Sequence, residues 1–381
     1  MPVSSARADA RFSAQDEVFM RRALEFAFRA FGRTSPNPAV GAVVVRNGRV
    51  VGEGFHRRAG LPHAEAEALR QAKGDARGAT LYVTLEPCAH HGRTPPCVDA
   101  VVASGIRRVV AAVVDPNPLV NGKGFRRLKR AGVAVDVGLL KDEARRLNAP
   151  FFKVMTERLP WTVVKIGQSL DGKIATSRGE SRWITSEPAR ALGHEWRSRV
   201  DAILVGSRTI KRDDPRLTER SGVARHGRPI KIIVDTHLSI PPTARCLSAQ
   251  SPAPTWIATL SRDVERIRRF EKKGVTVLPL RGSARVPLRP FFRLLAERGV
   301  QSVLIEGGGE VIASAFKDRL VDHVSWCVAP IFIGGREAPG SVGGEGTARL
   351  TQAVRLANVT VDRVGPDVCI AGDVVYPKRR G

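Results

Sequence analysis

The stretch TLEPCAHHGRTPPC, residues 84–97, read together with LPHAEAEALR, residues 61–70, decides how this chain is organised. The first stretch holds two of the five cysteines, two histidines and three prolines. Pro62 suits a helix start, so His63 and Glu65 fall in its first turn. In mid-helix, side chains two residues apart point about 200° away from each other. At the first turn that constraint loosens, so His63 can ligate a metal while Glu65 reaches over it. Cys88 and Cys97 each follow proline-rich punctuation, Glu86-Pro87-Cys88 and Pro95-Pro96-Cys97, which starts a helix or turn just past a strand. A helix N-terminus favours the thiolate that binds metal.

One histidine and two cysteines leave the fourth tetrahedral position of a Zn²⁺ open, which marks a catalytic rather than a structural site. Zinc lowers the pKa of water toward neutrality, and a glutamate that is not a ligand can then carry the proton to the leaving group. H-x-E followed by P-C-x-x-C is the pattern of zinc nucleobase deaminases. Here eight residues, not two, separate Cys88 from Cys97. From these residues alone, a closed structural zinc or two idle thiols stays open as the alternative.

Outward from this centre the chain reads as layered α/β. Ser13 caps a helix reaching about residue 31, whose apolar face comprises Val18, Phe19, Ala23, Leu24, Phe26, Ala27 and Ala30. TSPNPAVGAVVVRNGRVVGEGFH, residues 34–56, is two β-rich runs around Asn47-Gly48, the signal for a tight hairpin. Helices are expected over 63–73, from Pro95-Pro96 onward, over 123–131 and in KDEARRL, with strands at 80–85, 108–114 and 133–137. This βαβα rhythm predicts one domain over 13–150. The alternation restarts at Trp161 with WTVVKIGQSLDG, VDAILVGSRTI, RPIKIIVD, TWIATL, VTVLPL and QSVLIEGGGE, predicting a second domain over 158–381.

Composition bounds the class. The 381 residues are 43% hydrophobic and 26% charged, as expected of a globular protein, and no run of about 18 apolar residues offers a membrane span. The N-terminal residues show no apolar signal-peptide core, so the expected location is the cytoplasm. Five cysteines form no disulfide framework, and clustered cysteines in a reducing compartment more often bind metal. The net charge of +25, from 62 Lys+Arg against 37 Asp+Glu, would attract phosphates of any kind. The basic residues are scattered and mostly arginine, so charge alone does not point to nucleic acid.

HAE with TLEPCAHHGRTPPC and then DPNPLVNGKG, residues 115–124, resembles the deaminase half of the bifunctional riboflavin-biosynthesis enzymes. Those enzymes join a diaminohydroxyphosphoribosylaminopyrimidine deaminase to a 5-amino-6-(5-phosphoribosylamino)uracil reductase, and the eight-residue spacer is their own form of the motif. The second half resembles the reductase in KIGQSLDGKIAT, GESRWIT, RDDPRLT, IEGGGE and GPDVCIAGD, so the likeness spans about residues 13–377. It implies a zinc cytidine-deaminase-like α/β/α domain followed by a dihydrofolate-reductase-like α/β domain. It implies zinc on His63, Cys88 and Cys97, with Glu65 as proton shuttle, and His90 and His91 outside the ligand set. Arg93 and Asn37 are expected to hold a phosphorylated pyrimidine substrate, with His56 lining the same pocket.

In the second half, SVLIEGGGEVIASAF reads as strand, three glycines and a helix from about Glu310, a cradle for a cofactor diphosphate. It is not the G-x-G-x-x-G fingerprint, which disfavours a Rossmann domain. The resemblance implies NADPH near Gly167, Trp183, Thr209, Asp213, Thr236, Gly308, Gly309 and Glu310. Substrate contacts are implied at Ser181, Arg197, Leu217, Arg220 and Glu306, and Lys165 is a polar anchor beside substrate or nicotinamide. A homo-oligomer is also implied. Two rivals remain: a nucleic-acid base deaminase with a binding module, and a non-enzymatic zinc module. The spacer and GESRWIT speak against the first, and the HAE glutamate against the second. The expected partner is a small molecule, neither nucleic acid nor membrane.

Overall fold

The structure, a computed structural model, describes residues 11–91, 95–219, 228–248 and 252–378. The chain divides into two compact units, Met1–Glu157 and Arg158–Gly381. The first continues past residue 150, through one more helix.

In order, the first unit contains α1 (Ala14–Ala30), β1 (Gly41–Arg46), β2 (Arg49–Phe55), α2 (Ala64–Ala72), β3 (Thr80–Val83), α3 (Cys97–Ala103) and β4 (Arg108–Ala111). α4 (Lys123–Arg130), β5 (Ala134–Val137), α5 (Lys141–Leu147) and α6 (Ala149–Glu157) follow. Ser13 caps α1 through a capping box with Asp16. Phe19, Ala23, Phe26, Ala27 and Ala30 are buried, but Val18, expected on the same face, is 62% exposed. The face is narrower than the apolar letters imply. At the hairpin Asn47 and Gly48 both take positive φ, +49° and +73°, as the two-residue turn requires.

The sheet runs β2-β1-β3-β4-β5, with β1 antiparallel to both neighbours and β3, β4 and β5 parallel. Both faces are covered, because neighbouring β1 residues meet different helices. A Cβ on Gly41 would lie 2.0 Å from the Ala23 carbonyl of α1. Ala42 pairs with Gly54, where a Cβ would lie 2.8 Å from the Ala64 carbonyl of α2. That is α/β/α layering, with one continuous apolar core.

The second unit contains β6 (Trp161–Ser169), α7 (Glu187–Arg199), β7 (Ala202–Gly206), α8 (Ser207–Asp213), β8 (Ile230–Val234), β9 (Thr255–Thr259) and α9 (Val264–Glu271). After these come β10 (Val275–Pro279), α10 (Leu288–Glu297), β11 (Ser302–Glu306), α11 (Gly309–Lys317), β12 (His323–Ala329), β13 (Arg355–Val364) and β14 (Asp367–Val375). Its nine-stranded sheet runs β10-β9-β8-β7-β11-β6-β12-β14-β13. Every pairing from β10 to β12 is parallel, and β14 and β13 add an antiparallel edge. Alternate residues serve the two faces: Val164, Leu204 and Ile305 pack with Phe291 and Phe292, whereas Val163, Ile203 and Leu304 pack with Ile210 and Phe270.

The cysteines form no disulfide framework, but one pair is joined. Cys327 and Cys369 face each other on β12 and β14 and are bonded. Their separation of 42 residues in sequence hides a pairing that only strand register creates.

Candidate active sites

In the first unit, three side chains far apart in sequence converge. His63 is the N-cap of α2, Cys97 opens α3, and Cys88 lies in the loop after β3. His63 Nδ1 lies 3.2 Å from Cys97 Sγ and 3.5 Å from Cys88 Sγ, and the three potential ligand atoms lie within 4.8 Å of one another. The Cys97 backbone N–H donates to Cys88 Sγ at 3.3 Å, as expected where a helix start faces a thiolate. Donation from Cys97 and His63 holds the Cys88 thiol well below its usual range. One imidazole nitrogen and two sulfurs at this spacing fit a zinc ion.

Glu65, one residue into α2, is buried 3% exposed. Burial, reinforced by the neighbouring Cys88 sulfur, pushes its carboxyl up to about 7. Beside it, His56 Nδ1 lies 3.1 Å from the Pro62 carbonyl and His56 Nε2 lies 3.0 Å from Asn37 Nδ2. The carbonyl can only accept, so Nδ1 carries the proton and Nε2 accepts from the Asn37 amide. Burial also pushes this imidazole toward its neutral form. The His56 ring stands edge-on to His63, 5.2 Å between centroids.

Asn37, His56, His63, Glu65 and Cys88 line one cavity of about 370 Å³, together with His90, Asp115, Asn117, Val120 and Phe151. Sequence reading placed Asn37, His56, His63, Glu65 and Cys88 there but missed Asp115 and Asn117. DPNPLVNGKG was the signal that could have found them. Burial raises Asp115 to about 6. His90 Nδ1 is buried without a hydrogen-bond partner among the described residues, and His91 is exposed. Arg93 lies outside the described residues.

The second unit has a cavity of about 830 Å³ at the carboxyl ends of its parallel strands, where open α/β sheets bind ligands. β6 contributes Lys165 and Gly167, β7 ends at Gly206, β8 leads to Asp235 and Thr236, and β11 ends at Glu306. Gly307 and Gly308 take φ of +78° and +85°, so the chain turns from β11 into α11 in a conformation that disfavours side chains. Glu310, in the first turn of α11, accepts from Arg285 Nη1 at 2.7 Å.

Arg197 on α7 donates from Nε to Glu306 at 2.9 and 3.0 Å, and from Nη1 to the Thr218 carbonyl at 2.8 Å. Burial opposes ionisation of Glu306, but Arg197 holds the carboxyl below its ordinary value. Burial pushes Lys165 down. Ser181 Oγ donates to Asp213 Oδ1 at 3.2 Å. Trp183 is 67% exposed, with the Arg190 guanidinium 4.3 Å above its ring. Thr209, Leu217 and Gly309 line the same cavity, with Leu217 buried at φ +52°. Every residue expected in this half faces that cavity except Arg220, which lies outside the described residues. Arg190, Arg208, Lys211, Arg212 and Arg285 line it too and were not anticipated.

Residues 13–113 match the model of the cytidine and deoxycytidylate deaminase zinc-binding region, and residues 160–370 match that of the RibD C-terminal domain. The chain is 42% identical to the riboflavin biosynthesis protein RibD of Aquifex aeolicus over 93% of its length and 97% of that protein. To the Escherichia coli protein of the same name it is 41% identical, over 93% and 98%. Among solved structures it is similar to Acinetobacter baumannii RibD, with a TM-score of 0.86 and 36% identity over 95% of this chain and 99% of that one. It is also similar to a Thermotoga maritima diaminohydroxyphosphoribosylaminopyrimidine deaminase/5-amino-6-(5-phosphoribosylamino)uracil reductase, with a TM-score of 0.83 and 34% identity over 96% and 99%.

Proposed function

Because the chain belongs to the RibD family of bifunctional deaminase–reductases in riboflavin biosynthesis, we propose the substrates and residue roles that follow. The first unit deaminates 2,5-diamino-6-(5-phosphoribosylamino)pyrimidin-4(3H)-one. The second reduces the ribosyl side chain of the product to give 5-amino-6-(5-phosphoribitylamino)uracil. The observation that carries this reading is the convergence of His63, Cys88 and Cys97 on one another, with His63 and Cys88 lining a cavity that also holds the buried Glu65, whose carboxyl is raised to about 7.

His63, Cys88 and Cys97 hold the zinc, which when bound supplies the acidity that makes water a nucleophile near neutral pH. Glu65 takes the proton from the attacking water and passes it to the departing amino group. A carboxyl near 7 populates both of the forms this relay needs. Asn37 and the neutral His56 orient the pyrimidine, and Arg93 meets its phosphate.

In the second unit the reduced nicotinamide cofactor supplies a hydride when bound. Gly308, Gly309 and the first turn of α11 receive its diphosphate, while Gly167, Trp183, Thr209, Asp213, Thr236 and Glu310 surround the remainder. Ser181, Leu217, Arg220 and the Arg197–Glu306 pair hold the ribose and its phosphate. Lys165, buried beside that pair, gives a proton to the sugar oxygen. The cofactor is NADPH, a reading supported by the four basic side chains Arg208, Lys211, Arg212 and Arg285 on the cavity wall, which favour an additional phosphate. The location is the cytoplasm, and the active form is a homo-oligomer, the latter reading supported by the exposed apolar Val359 and Val361 on the edge strand β13. A small phosphorylated pyrimidine, not nucleic acid, is the partner.

One assay tests both halves. Zinc-loaded protein is given the diaminopyrimidinone ribosyl phosphate, with NADPH, with NADH, or with neither, and ammonia and cofactor oxidation are followed together. Ammonia without cofactor, then oxidation preferring NADPH, is expected. No ammonia would refute the deaminase assignment, and equal rates with both cofactors would refute the NADPH preference.

A further inference from the structure

Glu86 is buried 3% exposed between β3 and the zinc-ligand loop, and no step above uses it. Its backbone N–H donates to the Val113 carbonyl at 3.0 Å, which fixes it beside the end of β4. Its carboxylate accepts from four backbone amides of a single downstream segment. Oε2 takes the Asp115 N–H at 3.3 Å and the Gly122 N–H at 2.8 Å. Oε1 takes the Gly124 N–H at 2.9 Å and the Phe125 N–H at 3.4 Å. One side chain therefore grips both ends of the loop 115–122 and the first turn of α4.

The local sequence is shaped for this grip. Gly122, the N-cap of α4, has no side chain to satisfy the helix's first amides, and Glu86 does so from across the fold. A Cβ on Gly124 would lie 2.1 Å from the Pro87 carbonyl, so only glycine lets the helix start approach this closely. The gripped loop carries Asp115, Asn117 and Val120 into the cavity that holds Glu65. Within it, Asp115 Oδ1 accepts the Asn117 N–H at 2.8 Å and Asn117 Oδ1 accepts the Leu119 N–H at 3.0 Å, so the loop is internally braced once its ends are fixed.

We propose that Glu86 is a positioning residue of the deaminase cavity: by holding both ends of the loop 115–122 it sets Asp115 and Asn117 against the bound pyrimidine. This rests on the deaminase reading of the first unit. A carboxylate is the side chain suited to the task, because it offers acceptor sites alone and four donors point at it. Glutamine of the same shape would turn an NH₂ toward two of those donors.

The test is Glu86→Gln in the full zinc-loaded chain, alone and combined with Asn117→Ala. Three readouts are taken: zinc content, the KM and kcat of ammonia release, and amide exchange over residues 115–125. Faster exchange in that segment is expected, with KM raised about tenfold or more, kcat within about threefold and zinc retained. The double variant should be little worse than Asn117→Ala alone, because the two changes act through one loop. Unchanged KM and exchange would overturn the proposal, as would zinc loss or a lower kcat at unchanged KM, which would place Glu86 in service of the metal centre or the fold. If the unaltered chain releases no ammonia, the deaminase reading fails first.

Discussion

Replacing Asn148 should loosen the first unit by an amount the geometry sets. Asn148 sits between α5 and α6, buried 3% exposed, and both ends of its amide meet the backbone of one residue. Oδ1 accepts the Ala39 N–H at 2.7 Å and Nδ2 donates to the Ala39 carbonyl at 2.9 Å, imitating a strand partner across 109 residues of sequence. Ala39 is itself 4% exposed, so Asn148→Ala leaves two buried backbone groups without their partners. At about 1–3 kcal/mol for each orphaned group, and with some relaxation, the loss should be about 3 kcal/mol.

Asn148→Asp adds a sign to the test. Its carboxylate still accepts from Ala39 N–H but opposes the carbonyl, and only the protonated acid can donate. Its folded pKa is therefore raised, so this variant should approach the parent below about pH 4 and weaken as pH rises. Native-state hydrogen exchange over residues 39–45 is the appropriate assay, because all five tryptophans lie in Arg158–Gly381 and their fluorescence reports only that unit. Protection in 39–45 within about 0.5 kcal/mol of the parent for Asn148→Ala would refute the reasoning.

Three further outcomes are expected. Glu65→Gln should lower kcat for ammonia release by about 10²–10⁴, with zinc content and reduction of the deaminated intermediate unchanged; loss of both activities would show that the two units do not act independently or that Glu65 is structural. For Asp16, burial opposes ionisation, but hydrogen bonds from Tyr82, Arg108 and Ser13 outweigh it and hold the pKa at about 2. A depressed folded pKa stabilises above the unfolded value, so Asp16→Asn should cost about 2 kcal/mol at pH 6, a difference that shrinks as pH falls from about 4 to 2; a gap independent of pH in urea unfolding followed by hydrogen exchange would contradict this. Arg197→Met strands the Glu306 carboxylate, whose side chain is 13% exposed, and should destabilise the second unit by about 1.5–3 kcal/mol in tryptophan-monitored unfolding, with Glu306→Gln added to it restoring a large part; equal stability of parent and single variant would show the pair to be solvated.

The candidate centres were legible in the sequence to different depths. His63, Glu65, Cys88 and Cys97 are carried by residue types and punctuation that have few other uses, and local rules already place each at a helix start or loop. Ser13, Asn47-Gly48 and the β11–glycine–α11 run were readable for the same reason: caps, hairpin turns and glycine-built strand-to-helix turns are decided within a few residues. Glu86, Asp115, Asn117 and Asn148 were not, because each works through partners that only the folded backbone supplies. A glutamate preceding a proline and cysteine carries no mark that four distant amides will point at it.

By itself, then, the amino-acid order determined two α/β units and singled out a candidate metal-donor set with a candidate proton-carrying carboxyl, since local backbone preference and ligand chemistry act over short spans. Tertiary structure decided which strands neighbour one another, and through them the cross-strand bond of Cys327 to Cys369. It also decided that Val18 faces solvent, that Arg197 meets Glu306, and that one carboxylate closes the loop over the deaminase cavity. Those outcomes depend on register and long-range packing, where contacts between residues tens to more than a hundred positions apart compete on equal chemical terms until the whole sheet is assembled.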